Sequence, residues 1–178
     1  KPNLVDIEMI SDSKSKIVIQ PLERGFGHTL GNALRRVLLS SMPGSAVTEV
    51  SIDNILHEYS TIDGVQEDVL EIILNIKKLA LVLHEKDKID VVLRKKGKGP
   101  VIASDIEEHP NLEIKNPDFC LANITNDRTE LVINLTISQG KGYQPATKRK
   151  FSELEDLGIG KMQVDASFTP VEKVSYSV

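Results

Sequence analysis

The stretch GFGHTLG (25–31) sets glycines at 25, 27 and 31 at the start of a helical pattern. Glycines at a helix N-terminus can turn backbone N–H groups toward a phosphate. The dinucleotide fingerprint needs G-x-G-x-x-G after a strand, with an acidic residue about 20 positions on, and a P-loop needs Gly-Lys followed by Ser or Thr. The spacing here meets neither pattern. A turn with a packing notch is the simpler reading, and a nucleotide-binding turn at 25–31 is the alternative. The histidines are His28, His57, His84 and His109, and none falls in a recognised ligand motif. The lone Cys120 excludes thiolate zinc sites. No G-x-S-x-G, H-E-x-x-H or Walker sequence is present. Glu67, Asp68 and Glu71 sit in the first turns of a second helical pattern, where the macrodipole favours them without any catalytic role. No catalytic residue, metal or cofactor is therefore expected.

The chemistry left over is the pair Arg35-Arg36 within the first helix. At about 100° per residue, Leu30, Leu34, Leu38, Val37 and Ala33 form one contiguous apolar face. Leu39 falls nearly opposite, about one turn from Arg36. Single exposed leucines are common. Arginine beside an apolar anchor is nevertheless the composition of interface centres, which makes Arg36 and Leu39 a candidate docking patch. The Leu30, Leu34, Leu38 face suits either the chain's own sheet or the same helix of a second copy. Gly31 would let two backbones approach, at a helix-propensity cost of about 1 kcal/mol. Two basic clusters also stand out. Arg94-Lys95-Lys96-Lys98 reads as a solvated hairpin turn. Lys148-Arg149-Lys150 lies in a long polar loop ahead of Glu153, Glu155 and Asp156.

These residues must be held by an α+β chain. LVDIEMI (4–10) and SKIVIQPL (15–22) predict a hairpin, and 28–42 a helix ended by Pro43-Gly44. SAVTEVSID (45–53) alternates as a strand. A second helix is predicted over 65–79, with Asp63 and Gln66 as its capping pair. From residue 80 onward short β-like runs follow one another, interrupted by the polar loop between ISQG and GKMQVDA. VEKVSYSV (171–178) alternates as a final strand.

Composition narrows the partners. The 178 residues are 40% apolar but only 4% aromatic, with no Trp, so the core must be aliphatic. Net charge is −4, which disfavours a general nucleic-acid binder and points to proteins instead. No run reaches the roughly 18 apolar residues of a membrane helix. One cysteine fits a reducing compartment.

The stretches PLERGFGHTLGNALRRVLLSSMPGSAVTEVSIDNILHEYSTIDGVQEDVLEIILNIKKLAL, KGKGPVIASDI, GKGYQPA and IGKMQVDASFTPVEKVSYSV resemble the N-terminal domain of bacterial RNA polymerase alpha subunits over essentially the whole chain. The resemblance implies a dimerisation subdomain carrying the hairpin and helix (1–43), an inserted β-rich subdomain (44–169) and a return strand (170–178). That boundary falls ahead of the change in texture near residue 80. It implies a non-catalytic, cytoplasmic assembly subunit without cofactors, whose dimer recruits beta and then beta-prime to build the DNA-directed polymerase core. Arg36 and Leu39 match positions that contact beta, with neighbouring residues of 36–66. Lys77 and Val164 match positions linked to beta-prime. Leu30, Leu34 and Leu38 are the expected alpha–alpha face. Glu153, Glu155 and Asp156 fall in a loop some activators contact. The family continues past residue 178 into a helix that completes the dimer, and then into a separate domain that binds promoter DNA. The sequence also opens on Lys1 rather than Met, so a longer natural chain is expected.

Overall fold

The computed structural model describes residues 4–149 and 160–178. In chain order the elements are β1 (Leu4–Ser11), β2 (Lys14–Gln20), α1 (Phe26–Ser40), β3 (Pro43–Ile52), α2 (Val69–Ile76), β4 (Leu81–Leu83), β5 (Lys88–Lys96), β6 (Gly99–Ile102), β7 (Leu112–Ile114), β8 (Cys120–Ile124), β9 (Glu130–Lys141), β10 (Tyr143–Gln144), α3 (Ala146–Arg149), β11 (Lys161–Gln163) and β12 (Ala166–Ser167). Every ladder is antiparallel. The central sheet runs β5-β9-β3-β4-β7, and β11 shares the β3 edge with β4. β6–β8, β10–β12 and the β1–β2 hairpin are separate ribbons. This is the expected α+β chain with a β-rich body.

The sheet's inner face is built in rows. Val47, Ile137 and Ile89 lie abreast across β3, β9 and β5, then Val50, Leu135 and Val91, then Ile52, Ile133 and Leu93. All nine are at most 5% exposed. On β9 and β5 the inward residues recur every second position, as a strand requires. On β3 they do not: Val47 and Val50 are three apart. The register shifts between Val47 and Glu49, so Thr48 is the extra residue of a bulge. Thr48 Oγ1 is then buried and donates to the Thr136 carbonyl at 3.3 Å. Helix α2 closes the core with Val69, Ile72, Ile73 and Ile76, an i, i+3, i+4, i+7 stripe. Burying each such side chain contributes about 1.5–3 kcal/mol.

Several sequence expectations need correction. The second helix starts at Val69, not 65, and its cap is Asp68, whose Oδ1 accepts the Glu71 N–H at 2.7 Å. Residues 64–67 pair with β8 instead: Gln66 N–H donates to the Asn123 carbonyl, and the Glu67 carboxylate accepts the Asn123 backbone N–H and side-chain Nδ2. Asp63 and Gln66 are therefore no capping pair. The basic run 94–98 does not cap a hairpin, because β5 pairs β9 while β6 pairs β8. Arg94 and Lys95 are also paired, with Glu130 at 3.3 Å and Asp105 at 2.8 Å. The polar loop after ISQG begins with two short elements, β10 and α3. The return strand over 170–178 is not formed. Its side chains pack on a helix rather than alternating across a sheet, as described next.

Candidate protein interface

Helix α1 contains one buried residue, Gly27. Its C-terminal end is joined to the body. Thr169 Oγ1 donates to the Leu38 carbonyl at 3.4 Å, and Gly142 passes so close that a Cβ would lie 3.0 Å from the Ser40 carbonyl oxygen. Phe168, 3% exposed, wedges in beside this joint. Its ring lies on Gly140 and its carbonyl on Gly44, which face each other across β3 and β9. From there residues 169–178 run back along the helix as a strap. A Cβ at Gly31 would lie 2.4 Å from the Tyr176 ring, and one at Gly27 would lie 2.6 Å from Val178. The two glycines are thus notches filled by the chain's own tail. Gly25 alone among the three takes a positive φ, 84°, where the helix begins. The space a phosphate cradle would need at Gly27 and Gly31 is occupied by side chains.

The strap divides α1 into three faces. Gly27, Leu38 and Gly31 share an arc about 40° wide that the tail and body cover. Next to it Phe26, Leu30, Ala33, Leu34 and Val37 span about 100° of apolar surface. Phe26 is 50% exposed, Leu34 41% and Val37 52%. The expected Leu30, Leu34, Leu38 face is therefore not uniform. Leu38 is half-buried against its own chain, and Phe26 and Val37, absent from the sequence-based choice, are open. The third face holds Asn32, Arg35, Arg36, Leu39 and Ser40 around an open depression of about 310 Å³. Leu39 does not project freely as the wheel suggests; it is half-buried as the depression's floor. Both arginines are exposed. Arg36 and Leu39 are brought together as expected, and Arg35 joins them.

The hairpin ahead of α1 is equally uncovered. Its register sets Val5 against Ile19 and Ile7 against Ile17 on one face, with Met9 following. Val5, Ile7, Met9 and Ile17 are 56–71% exposed. Beyond β3, Leu56 (69%) and Tyr59 (80%) stand out of a connector that sequence reasoning passed over. Ile55 and Ile62 of the same connector pack on the core, so local sequence does not separate the exposed residues from the packed ones.

Lys77 and Val164, which the family resemblance links to beta-prime, sit in different surroundings. Lys77 caps the C-terminus of α2 and is exposed, beside the outward Leu70 and Leu74. Val164 is 3% exposed and lies in the core cluster. Its N–H donates to the Thr48 carbonyl at the β3 bulge. Its methyls are therefore not part of the surface. The following Asp165 accepts the Ala146 N–H at 2.7 Å and pairs with Tyr143, whose hydroxyl pKa is raised by that hydrogen bond. Glu153, Glu155 and Asp156 lie outside the described residues, as do Lys150 and the side chains of Lys148 and Arg149.

Among the described residues no group of three or more His, Cys, Asp or Glu side chains could hold a metal, and no helix is long and apolar enough to cross a membrane. What the surface offers is apolar and basic contact area on α1 and the hairpin, carried by a self-contained β-rich body. Residues 50–169, most of that body, match the model of the RNA polymerase Rpb3/RpoA insert domain. The match covers more than half of the chain and begins within β3, just beyond α1. The chain belongs to the RNA polymerase subunit family defined by the Rpb3/RpoA insert domain.

Proposed function

We propose that this chain is the alpha-type assembly subunit of a bacterial DNA-directed RNA polymerase, cytoplasmic and without catalytic residues or a cofactor of its own. It dimerises, and the dimer gathers the beta and beta-prime subunits. The observation that carries this reading is the uncovered apolar surface of residues 4–42 on a chain whose body, residues 43–168, has a closed core. A two-stranded hairpin with an open apolar face is marginal by itself in water. Exposed apolar patches of this kind mark association sites.

The dimer face is the α1 stripe of Phe26, Leu30, Ala33, Leu34 and Val37, with the hairpin beside it. The beta-facing surface is the Arg36–Leu39 depression together with Leu56 and Tyr59. The beta-prime contact falls around Lys77 and the Val164 segment. Transcription activators reach the loop of Glu153, Glu155 and Asp156. Promoter DNA is contacted through a separate C-terminal domain of the longer subunit.

Light scattering after size exclusion tests the reading. The chain should run as a dimer, and Val37→Asp should make it monomeric while its far-UV circular dichroism is kept, with any fall in melting temperature reflecting the lost association. Arg36→Ala should keep fold and dimer but lose capture of beta, since an exposed Arg costs little in folding yet about 2 kcal/mol or more as an interface anchor. A wild-type chain that neither dimerises nor captures beta sinks the proposal.

A further inference from the structure

The geometry points to an acidic occupant for the α1 depression: a protein segment with an apolar side chain bracketed by carboxylates. This rests on the reading that α1 docks a large polymerase subunit, and it names the chemistry of the partner. Three observations carry it. First, no Asp or Glu lies between Glu23 and Glu49, although the whole chain has net charge −4. Within that carboxylate-free stretch sit Arg24, Arg35 and Arg36. Second, where carboxylates lie near the body's cations they pair, Arg94 with Glu130, Lys95 with Asp105, Lys88 and Lys161 with Glu49, although other body cations such as Lys96 and Arg128 have no ion pair among the described residues. Arg35 and Arg36 have no ion-pair partner among the described residues. Third, they flank one hydrophobic floor. Arg35 and Arg36 leave the helix about 100° apart, and Leu39 lies between them one turn on.

The chemistry follows from these positions. A guanidinium is a planar fork that accepts a carboxylate through two parallel N–H donors. Two such forks on either wall of the depression match two carboxylates of one extended or helical segment. Leu39 between them takes the apolar side chain that separates the acids. The Asn32 amide adds a donor and an acceptor at the rim. Ser40 is already committed, its Oγ donating to the Arg36 carbonyl at 2.6 Å, which ties off the last turn of α1 beneath the depression. A nucleic-acid backbone fits poorly. Two arginines make a short basic stripe, and the depression has no aromatic ring on which a base could stack.

Capture of purified beta by the intact chain tests this at 50 and 500 mM salt, alongside a gel-shift with labelled duplex DNA. Arg35→Gln/Arg36→Gln should weaken capture at least about tenfold at low salt. Wild-type capture should weaken as salt rises, because exposed ion pairs are screened, and the double Gln variant should lose that salt dependence. Arg35→Lys/Arg36→Lys should recover part of the loss, since charge remains while the fork does not. Melting curves confirm that each variant folds. If the double Gln variant binds as wild type while Leu39→Asp abolishes capture, docking stands but the acidic occupant is wrong. If neither change matters, α1 is not the docking helix and the underlying reading fails. An arginine-dependent shift of duplex DNA overturns the protein occupant in favour of a phosphate backbone.

Discussion

Residues 4–42 and residues 43–168 of this chain are built on opposite terms. In the body, row after row of Val, Ile and Leu is closed between the sheet, α2 and β8, and many of those side chains are wholly buried. In the arm formed by β1, β2 and α1, Gly27 is the sole buried residue, and nine large apolar side chains from Leu4 to Val37 stand 41–71% exposed. The two regions have similar kinds of residue. What differs is whether the chain supplies the second layer that every amphipathic face needs. The body contains its own second layer. The arm carries only a strap on one side of its helix, so its free-energy gain from apolar burial is largely deferred to association.

The largest test of that contrast is a matched pair of core and arm truncations. Leu93 is 0% exposed at the centre of the body, and Leu93→Ala should cost about 2–5 kcal/mol in denaturant unfolding. Ile7 is 61% exposed in the hairpin, and Ile7→Ala should change the stability of the dissociated chain by no more than about 0.5 kcal/mol. Comparable losses at both sites would mean that the arm is packed in solution and that the contrast is false.

The strap gives an intermediate effect and shows how far the arm is independent. Gly31→Ala brings about 1 kcal/mol of helix propensity. The new Cβ would nevertheless lie 2.4 Å from the Tyr176 ring, so the ring must leave. Tyr176 is 45% exposed and packs on α1 rather than in the body's core cluster, so its departure leaves that core intact. The expected outcome is an unchanged main unfolding transition with faster tryptic cleavage after Lys173. Adding Tyr176→Ala to Gly31→Ala should produce no further increase, because the contact is already gone. Unchanged cleavage in Gly31→Ala would show that the tail is held elsewhere.

The same contrast explains which features were legible in the sequence. Period-2 runs such as KIDVVLRKK and TELVINLTISQG became strands because one face of each is buried, and a buried face fixes the period. The hairpin was legible from its own alternation and its short polar link. The N-terminus of α2 was misplaced because the pairing of Gln66 and Glu67 with Asn123 joins residues more than 50 apart, which no local pattern reveals. The period of β3 was read as unbroken, and its bulge at Thr48 was visible only once β9 stood beside it. VEKVSYSV alternates as a strand would, yet Tyr176 and Val178 find glycine notches on α1, so tertiary packing overrode the pattern. On α1, Arg36 and Leu39 line one depression, and a helix wheel brings them together without tertiary information. Arg35 and Val37 were placed on the wheel but not chosen, and Phe26, Leu56 and Tyr59 were not singled out, since their exposure depends on what the body leaves uncovered.

The smallest expected effect lies on the body's surface and asks whether charge shares the work of its core. Glu113, on edge strand β7, is hydrogen-bonded by Lys115 and by His84 Nε2, the latter at 3.4 Å. These bonds, that from Lys115 first, hold its carboxyl below the ordinary value of 4.5. A carboxylate depressed in the folded state stabilises above its unfolded pKa, and that contribution is lost as pH falls through the folded value. Lys115→Gln should therefore lower the melting temperature slightly at neutral pH, and the difference from wild type should vanish below the carboxylate range. Glu113 is exposed, and exposed pairs of this kind contribute little. The neutral-pH shift should be a small fraction of that produced by Leu93→Ala. A shift of comparable size, or one that persists at low pH, would mean that the β4–β7 edge is held by charge rather than by the buried rows beneath it. The body would then be less self-sufficient than its packing implies.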